Sequence, residues 1–270
     1  EYDDWQDEAK SSLALVILLD QFSRNLYRED PKSYSQDTKA RLLVTEGVDR
    51  QYLDELDVLD YTINDDLTVD SRYNVNLYHM IMEDELPFNF NYVKGIFEID
   101  SNDLTSLKGC PKIVGKGFYC NDNLLTTLEN GPVEANGGYY CENNQLTSLK
   151  GCPKSVGGTF NCDNNKLTSL EHSPKNVGDN FYCEDNYIYN LDKFDCVFKG
   201  IFNCLNNPIG TLFNEVDYDF IQAFKSLKIL KDKELNIRRF KYLMFNIFDK
   251  KSDYGKIDFS KVEKYYTIKL

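Results

Sequence analysis

The chain has 270 residues, 41% of them hydrophobic, enough for one extended domain or two compact ones with a sizeable core. Lys and Arg number 31 against 44 Asp and Glu, a net charge of -13. That balance argues against general nucleic-acid or anionic-membrane binding and suits solubility or a basic partner. The longest apolar run, LALVILL at 13–19, is far short of the ~20 residues that cross a bilayer and fits a buried helix. The chain opens on Glu1 rather than Met, which reads as a fragment or a processed form, so a missing targeting segment carries little weight.

Residues 1–56 form a helical N-terminal segment in this reading. One helix runs to about Tyr27 and a second from Ser35 to Glu46, with Pro31 in the joint and Gly47 as the stop. The run LLDQF-x-RN-x-x-R within 11–49 resembles an uncharacterised bacterial family of TPR-like helical proteins, of which this would be a partial copy. Its polar residues, Asp20, Gln21, Arg24, Asn25 and Arg28, either bond helix to helix or mark a site in the whole family. No activity is carried over from the resemblance. Residues 57–94 read as a β-rich N-terminal cap, with a hairpin or two short strands over 61–79.

From 95 to 213 the sequence repeats every 21 residues, giving about six coils. Aromatics recur at Phe97, Phe118, Tyr139, Phe160, Phe181 and Phe202. Cysteines recur at Cys120, Cys141, Cys162, Cys183 and Cys204, with Ile99 in the same slot. Asparagines recur at Asn102, Asn123, Asn144, Asn165, Asn186 and Asn207. Apolar pairs run from Leu104 and Leu107 to Ile209 and Leu212, and prolines stand at Pro111, Pro132, Pro153 and Pro174. Alternation turns the aromatic and the Cys inward, where stacking on neighbouring coils buries them. The Asn amide both donates and accepts, so it can satisfy buried backbone groups where the chain leaves the strand.

The unit F-x-C-x-x-N-x-L-T-S-L-x-G-C-P-x-x-V-x-G resembles the leucine-rich repeat over about 86–213, in the short style of bacterial effectors and phage-encoded proteins. That resemblance implies an α+β repeat protein: a leucine-rich-repeat solenoid with one short strand per coil in a parallel sheet on the concave face. Helical and β segments would cap its N-terminal end and helices its C-terminal end. Pro and Gly in each unit leave no room for a convex helix.

The eight cysteines admit three readings: core packing, disulfides or metal ligands. Zinc sites use close-set pairs, whereas these Cys follow the coil spacing and are no closer than eight positions. Core packing is preferred, with free thiols and hence a reducing, cytoplasmic compartment. No metal, no cofactor and no catalytic residue is expected. His79 and His172 read as ordinary residues.

The positions between the inward residues face outward. One column is Glu98, Tyr119, Tyr140, Asn161, Tyr182 and Asn203; the next is Asp100, Asn121, Glu142, Asp163, Glu184 and Leu205. Tyr supplies contact area at low entropic cost, and acids attract a basic partner. The candidate partner-binding residues are Tyr119, Tyr140, Glu142, Asp163, Tyr182 and Glu184. A merely solvated acidic face, or a Ca²⁺ stack, are the competing readings.

Residues 214–270 read as a helical C-terminal cap. Phe220, Ile221, Phe224, Leu227 and Leu230 suit one helix; Leu235, Ile237, Phe240, Leu243, Met244 and Ile247 suit a second. The expected function is non-enzymatic protein–protein interaction on the concave face, with the oligomeric state open. Two alternatives stand beside it: an enzyme or regulator acting through residues 1–56, and nucleic-acid binding through Lys225, Lys228, Lys231, Arg238, Arg239 and Lys241, which the overall acidity opposes.

Overall fold

The computed structural model describes residues 58–64, 66–81, 84–87 and 89–269, together with Leu53 and Leu56. The expected helices up to Tyr27 and over 35–46, and the motif from Asp20 to Arg28, lie outside the described residues. The chain divides into two compact units after Arg72. In the first, Tyr61–Ile63 and Val69–Ser71 pair antiparallel as the expected hairpin. Its turn is built by Asp66, whose Oδ1 accepts from the Thr68 backbone N–H at 3.1 Å and from its hydroxyl at 2.6 Å.

The second unit is a parallel β-solenoid. Each 21-residue coil contributes two two-residue strands, not the single strand that the leucine-rich-repeat resemblance implies. In one coil these are Ser155–Val156 and Phe160–Asn161, separated by a Gly157–Gly158–Thr159 turn. The two series form separate ladders. Val114, Ala135, Val156, Val177 and Phe198 point inward from one, and the aromatic column points inward from the other. Registers are one-to-one between coils: Phe160 pairs with Tyr139 and Phe181, and Val156 with Ala135, while Ser155 opposes Asn176. Two-residue strands suffice because every coil repeats the same backbone bonds to the next.

Parallel pairing starts ahead of residue 95. Val75–Asn76 pairs with Phe97–Glu98, and Tyr92–Val93 with Ile113–Val114. It ends where Glu215–Val216 lies antiparallel on Phe202–Asn203.

The inward columns are buried as alternation requires: Phe97, Phe118, Tyr139, Phe160, Phe181 and Phe202, and Cys120 to Cys204, are each at 0% exposure. The aromatic rings form a continuous column, with centroids 4.9 to 6.1 Å apart from Phe97 to Phe202. The Asn column is a buried amide ladder. Asn165 Oδ1 accepts from the Leu146 N–H at 2.9 Å, and its Nδ2 donates to the Cys141, Cys162 and Asp163 carbonyls at 3.0–3.1 Å. Asn144, Asn186 and Asn207 repeat the pattern.

The residue before each of these asparagines is left-handed: Asp122, Asn143, Asn164, Asp185 and Asn206 have φ of 48–57°. Asn and Asp tolerate that region best after Gly, so Asx doublets recur at this corner. A second left-handed corner holds Gly109, Asn130, Gly151 and His172, with φ of 67–95°. His172 therefore fills a backbone corner.

Beyond the last coil, Tyr218–Ser226 is the first expected helix, capped by Asp217, whose Oδ1 accepts from the Phe220 N–H at 2.8 Å. Ile237–Tyr242 opens the second and continues as a π-turn over Leu243–Ile247. Leu230 and Leu235, expected on helices, lie instead on paired strands, Leu230–Lys231 and Glu234–Asn236, joined at Asp232 with φ 54°. The positive φ in the intervening KDKE stretch turns the chain back as a hairpin, which apolar spacing does not register. Thr267–Lys269 adds a third strand.

Candidate functional site

On the aromatic ladder each inward residue alternates with an outward one, so both candidate columns fall on a single face. Tyr119 and Tyr140 meet on adjacent rungs, rings stacked at 4.5 Å and 8°. Their floor is glycine: a Cβ at Gly117 would stand 2.7 Å from the Tyr119 ring, and one at Gly138 2.5 Å from the Tyr140 ring. Tyr182 stands apart, beyond the Asn161 rung.

The carboxylates beside them are poorly satisfied. Asp100 is only 8% exposed, and its Oδ1 has no hydrogen-bond partner; Glu142 Oε2 is likewise buried and unpartnered. Asp163 Oδ1 accepts from the Glu184 N–H at 2.6 Å, and Glu184 Oε1 from Asn203 Nδ2 at 2.7 Å. Burial pushes Glu142 up to about 7, and the neighbouring Asp163, Asp122 and Asp100 push the same way, against its own backbone N–H. Burial pushes Asp163 up to about 6, with Glu184 and Asp185 adding to it and the Glu184 N–H opposing. Asp100 is raised by burial and by Asp122, and Glu98 by burial and by Asp100. The structure thus gathers Tyr119, Tyr140, Glu142, Asp163 and Glu184 on one strip and adds Asp100 to it. Alternation reveals the outward face; the depth of Asp100 depends on its neighbours in adjacent coils, which a linear pattern does not show.

Raised carboxyl groups set a sign for stability against pH. The folded protein holds protons that the unfolded chain releases. Stability therefore falls as pH rises between the ordinary 4.5 of Glu142 and its folded value of about 7. Glu142→Gln should raise stability at pH 7.5 by about 1–2 kcal/mol, after discounting for its solvated part, and flatten this slope. Urea titrations at both ends of the window check it; a wild-type protein that gains stability across the window contradicts it.

The other candidate chemistry is absorbed by the fold. All eight cysteines are free thiols. Three of the column donate to the next coil, Cys141 to the Asn161 carbonyl at 3.2 Å, Cys162 to that of Tyr182 and Cys183 to that of Asn203, both at 3.3 Å. Burial raises each well above the ordinary thiol range, which keeps them protonated and unreactive. Among the described residues, no three His, Cys, Asp or Glu side chains converge to hold a metal ion.

Of the basic residues near the C-terminus, Lys225 donates to the Phe194 carbonyl, Arg239 to the Leu227 and Lys228 carbonyls, and Lys241 lies over the Phe245 ring. Half of that basic set is therefore engaged locally. No helix among the described residues is long and apolar enough to cross a membrane.

Residues 1–85 match the model of a family described as bacterial protein of unknown function (DUF924). The similarity takes in the LLDQF run and continues past 49, through the hairpin to the Val75–Asn76 strand. No curated protein and no solved structure matches the chain.

Proposed function

We propose that the chain is a non-enzymatic interaction module that captures a protein partner on the outward strip of its solenoid. The observation behind this reading is the stacked Tyr119–Tyr140 pair set beside buried, unsatisfied carboxylates. Solvated faces do not maintain such groups without a reason, because each unpaired buried oxygen costs stability. The solenoid is of the leucine-rich-repeat kind, on the N-x-L phasing of its Asn ladder, and the strip is its concave face. Residues 214–270 cap the C-terminal end of the solenoid. At the C-terminal end, Tyr266 donates to the Tyr189 carbonyl at 2.6 Å, which supports that role. The same reading takes the compartment to be reducing and cytoplasmic, which the free thiols support.

Replacing Tyr119, Tyr140 and Tyr182 by alanine should weaken capture by about 100-fold while circular dichroism and thermal unfolding stay near wild type. The check is a random peptide-display selection against the wild-type protein, followed by affinities of the selected peptides for the triple variant. Equal affinities refute the reading.

One alternative is kept beside it: an enzyme or regulator whose activity resides in residues 1–56, a stretch that lies within the match to a family of unknown function. Deleting 1–56 discriminates between them. Capture retained by the remaining solenoid favours the strip, and function lost with the solenoid still folded favours the segment.

A further inference from the structure

The strip's acids differ from those at the edge of the coils. At the edge, successive coils are tied by ion pairs: Lys108–Glu85 at 2.7 Å, Lys150–Glu129 at 2.8 Å and Lys193–Glu171 at 3.2 Å. Among the described residues, no ion pair joins Glu98, Asp100, Glu142, Asp163 or Glu184 to a base. The two unpartnered carboxylate oxygens, Asp100 Oδ1 and Glu142 Oε2, belong to the rungs on either side of Asn121. Adjacent rungs lie ~4.8 Å apart, so roughly 10 Å of backbone separates the two acids. The register sets the Asn121 rung between them, one coil from each. Asn121 itself is turned to Asp122, its Nδ2 donating to Oδ2 at 2.8 Å, and pairs with neither oxygen. Tyr119 shares the rung.

Resting on the reading of the strip as a capture surface, we propose that the Asn121 rung receives one cationic side chain, a guanidinium or ammonium from a basic segment of the partner, between Asp100 and Glu142 and beside Tyr119. Three features select this occupant. The acids lie in a row along the coils, whereas a calcium ion needs six or more oxygens around one point. A long, flexible basic side chain needs only one or two carboxylates and gains from an aromatic neighbour. The groups that bear on Glu142 are Asp100, Asp122 and Asp163, with the Tyr119 phenol and the Cys120, Cys141 and Cys162 thiols nearby, and none is basic. An arriving cation therefore supplies the missing charge and expels the proton that Glu142 keeps at mildly acid pH, so capture tightens as pH rises from 5.5 to 7.5.

The test is calorimetry with an arginine-rich peptide and its citrulline analogue, which has the same shape without the charge. Proteins are wild type and the near-isosteric double variant Asp100→Asn/Glu142→Gln, each at pH 5.5 and 7.5. The arginine peptide should bind wild type about 10-fold more tightly at pH 7.5 than at 5.5, with proton release. The citrulline peptide should bind at least about 10-fold more weakly, a comparison that needs no variant. The double variant should lose about 10-fold and most of the pH dependence.

Equal binding of the two peptides, or an undiminished pH-dependent affinity in the double variant, overturns the inference. So does displacement of the arginine peptide by millimolar calcium chloride, which would make the rung a metal site. Display-selected peptides that need the strip tyrosines yet hold no Lys or Arg overturn the inference and leave the capture reading standing. Selected peptides indifferent to the tyrosines bring down both.

Discussion

Asn165→Ala is expected to lower stability by about 3–5 kcal/mol, far above the effect of an ordinary surface change. The side chain is 5% exposed and ties its own coil to the preceding one. Its Oδ1 receives the Leu146 N–H from the preceding coil, and its Nδ2 reaches the Cys141 carbonyl there as well as Cys162 and Asp163 in its own. Alanine leaves the Leu146 N–H buried without an acceptor and strips several carbonyls of a donor, at about 1–3 kcal/mol for each group left truly unsatisfied. Urea unfolding followed by circular dichroism measures it. A loss below about 1 kcal/mol would mean that water replaces the amide and that the ladder does not bind coil to coil.

Phe160→Ala should cost a similar 3–5 kcal/mol for a different reason. Phe160 is fully buried, with Tyr139 at 5.8 Å on one side and Phe181 at 5.2 Å on the other. Removing it opens a void in mid-column. Coils fixed by one-to-one registers cannot slide together to fill it, so relaxation is small. In a quasi-one-dimensional array such a defect also weakens nearest-neighbour coupling. Unfolding monitored by tyrosine fluorescence and by far-ultraviolet dichroism should then separate into two transitions in the variant. A single coincident transition at wild-type midpoint would refute both effects.

The sequence revealed the columns because burial imposes the same residue at the same phase of each coil. Phe160, Cys162, Asn165 and Leu167 are legible for that reason alone. The second strand of each coil was harder to see. Glu134–Ala135, Ser155–Val156 and Asn176–Val177 are two residues long, half polar, and too short to alternate. Their trace was the Val114, Val156 and Val177 spacing, which marks an inward position without saying that its neighbours pair. The left-handed corners had a trace too, in the Asx doublets and in His172 replacing Gly or Asn, but only a backbone angle explains it. Of the candidate site, the outward face was legible from alternation. The close approach of Tyr119 to Tyr140, and the unpaired oxygens around Asn121, arise between coils and have no linear signature.

Each strand from Val75–Asn76 to Phe202–Asn203 is a template for an identical strand running the same way. Nothing in that geometry specifies a length, and a second molecule could in principle continue the series as a filament. Glu215–Val216 enters with the opposite polarity and presents a hydrogen-bonding pattern that the repeat unit does not match. Reversing direction for two residues thus ends the aromatic ladder within the chain at this edge.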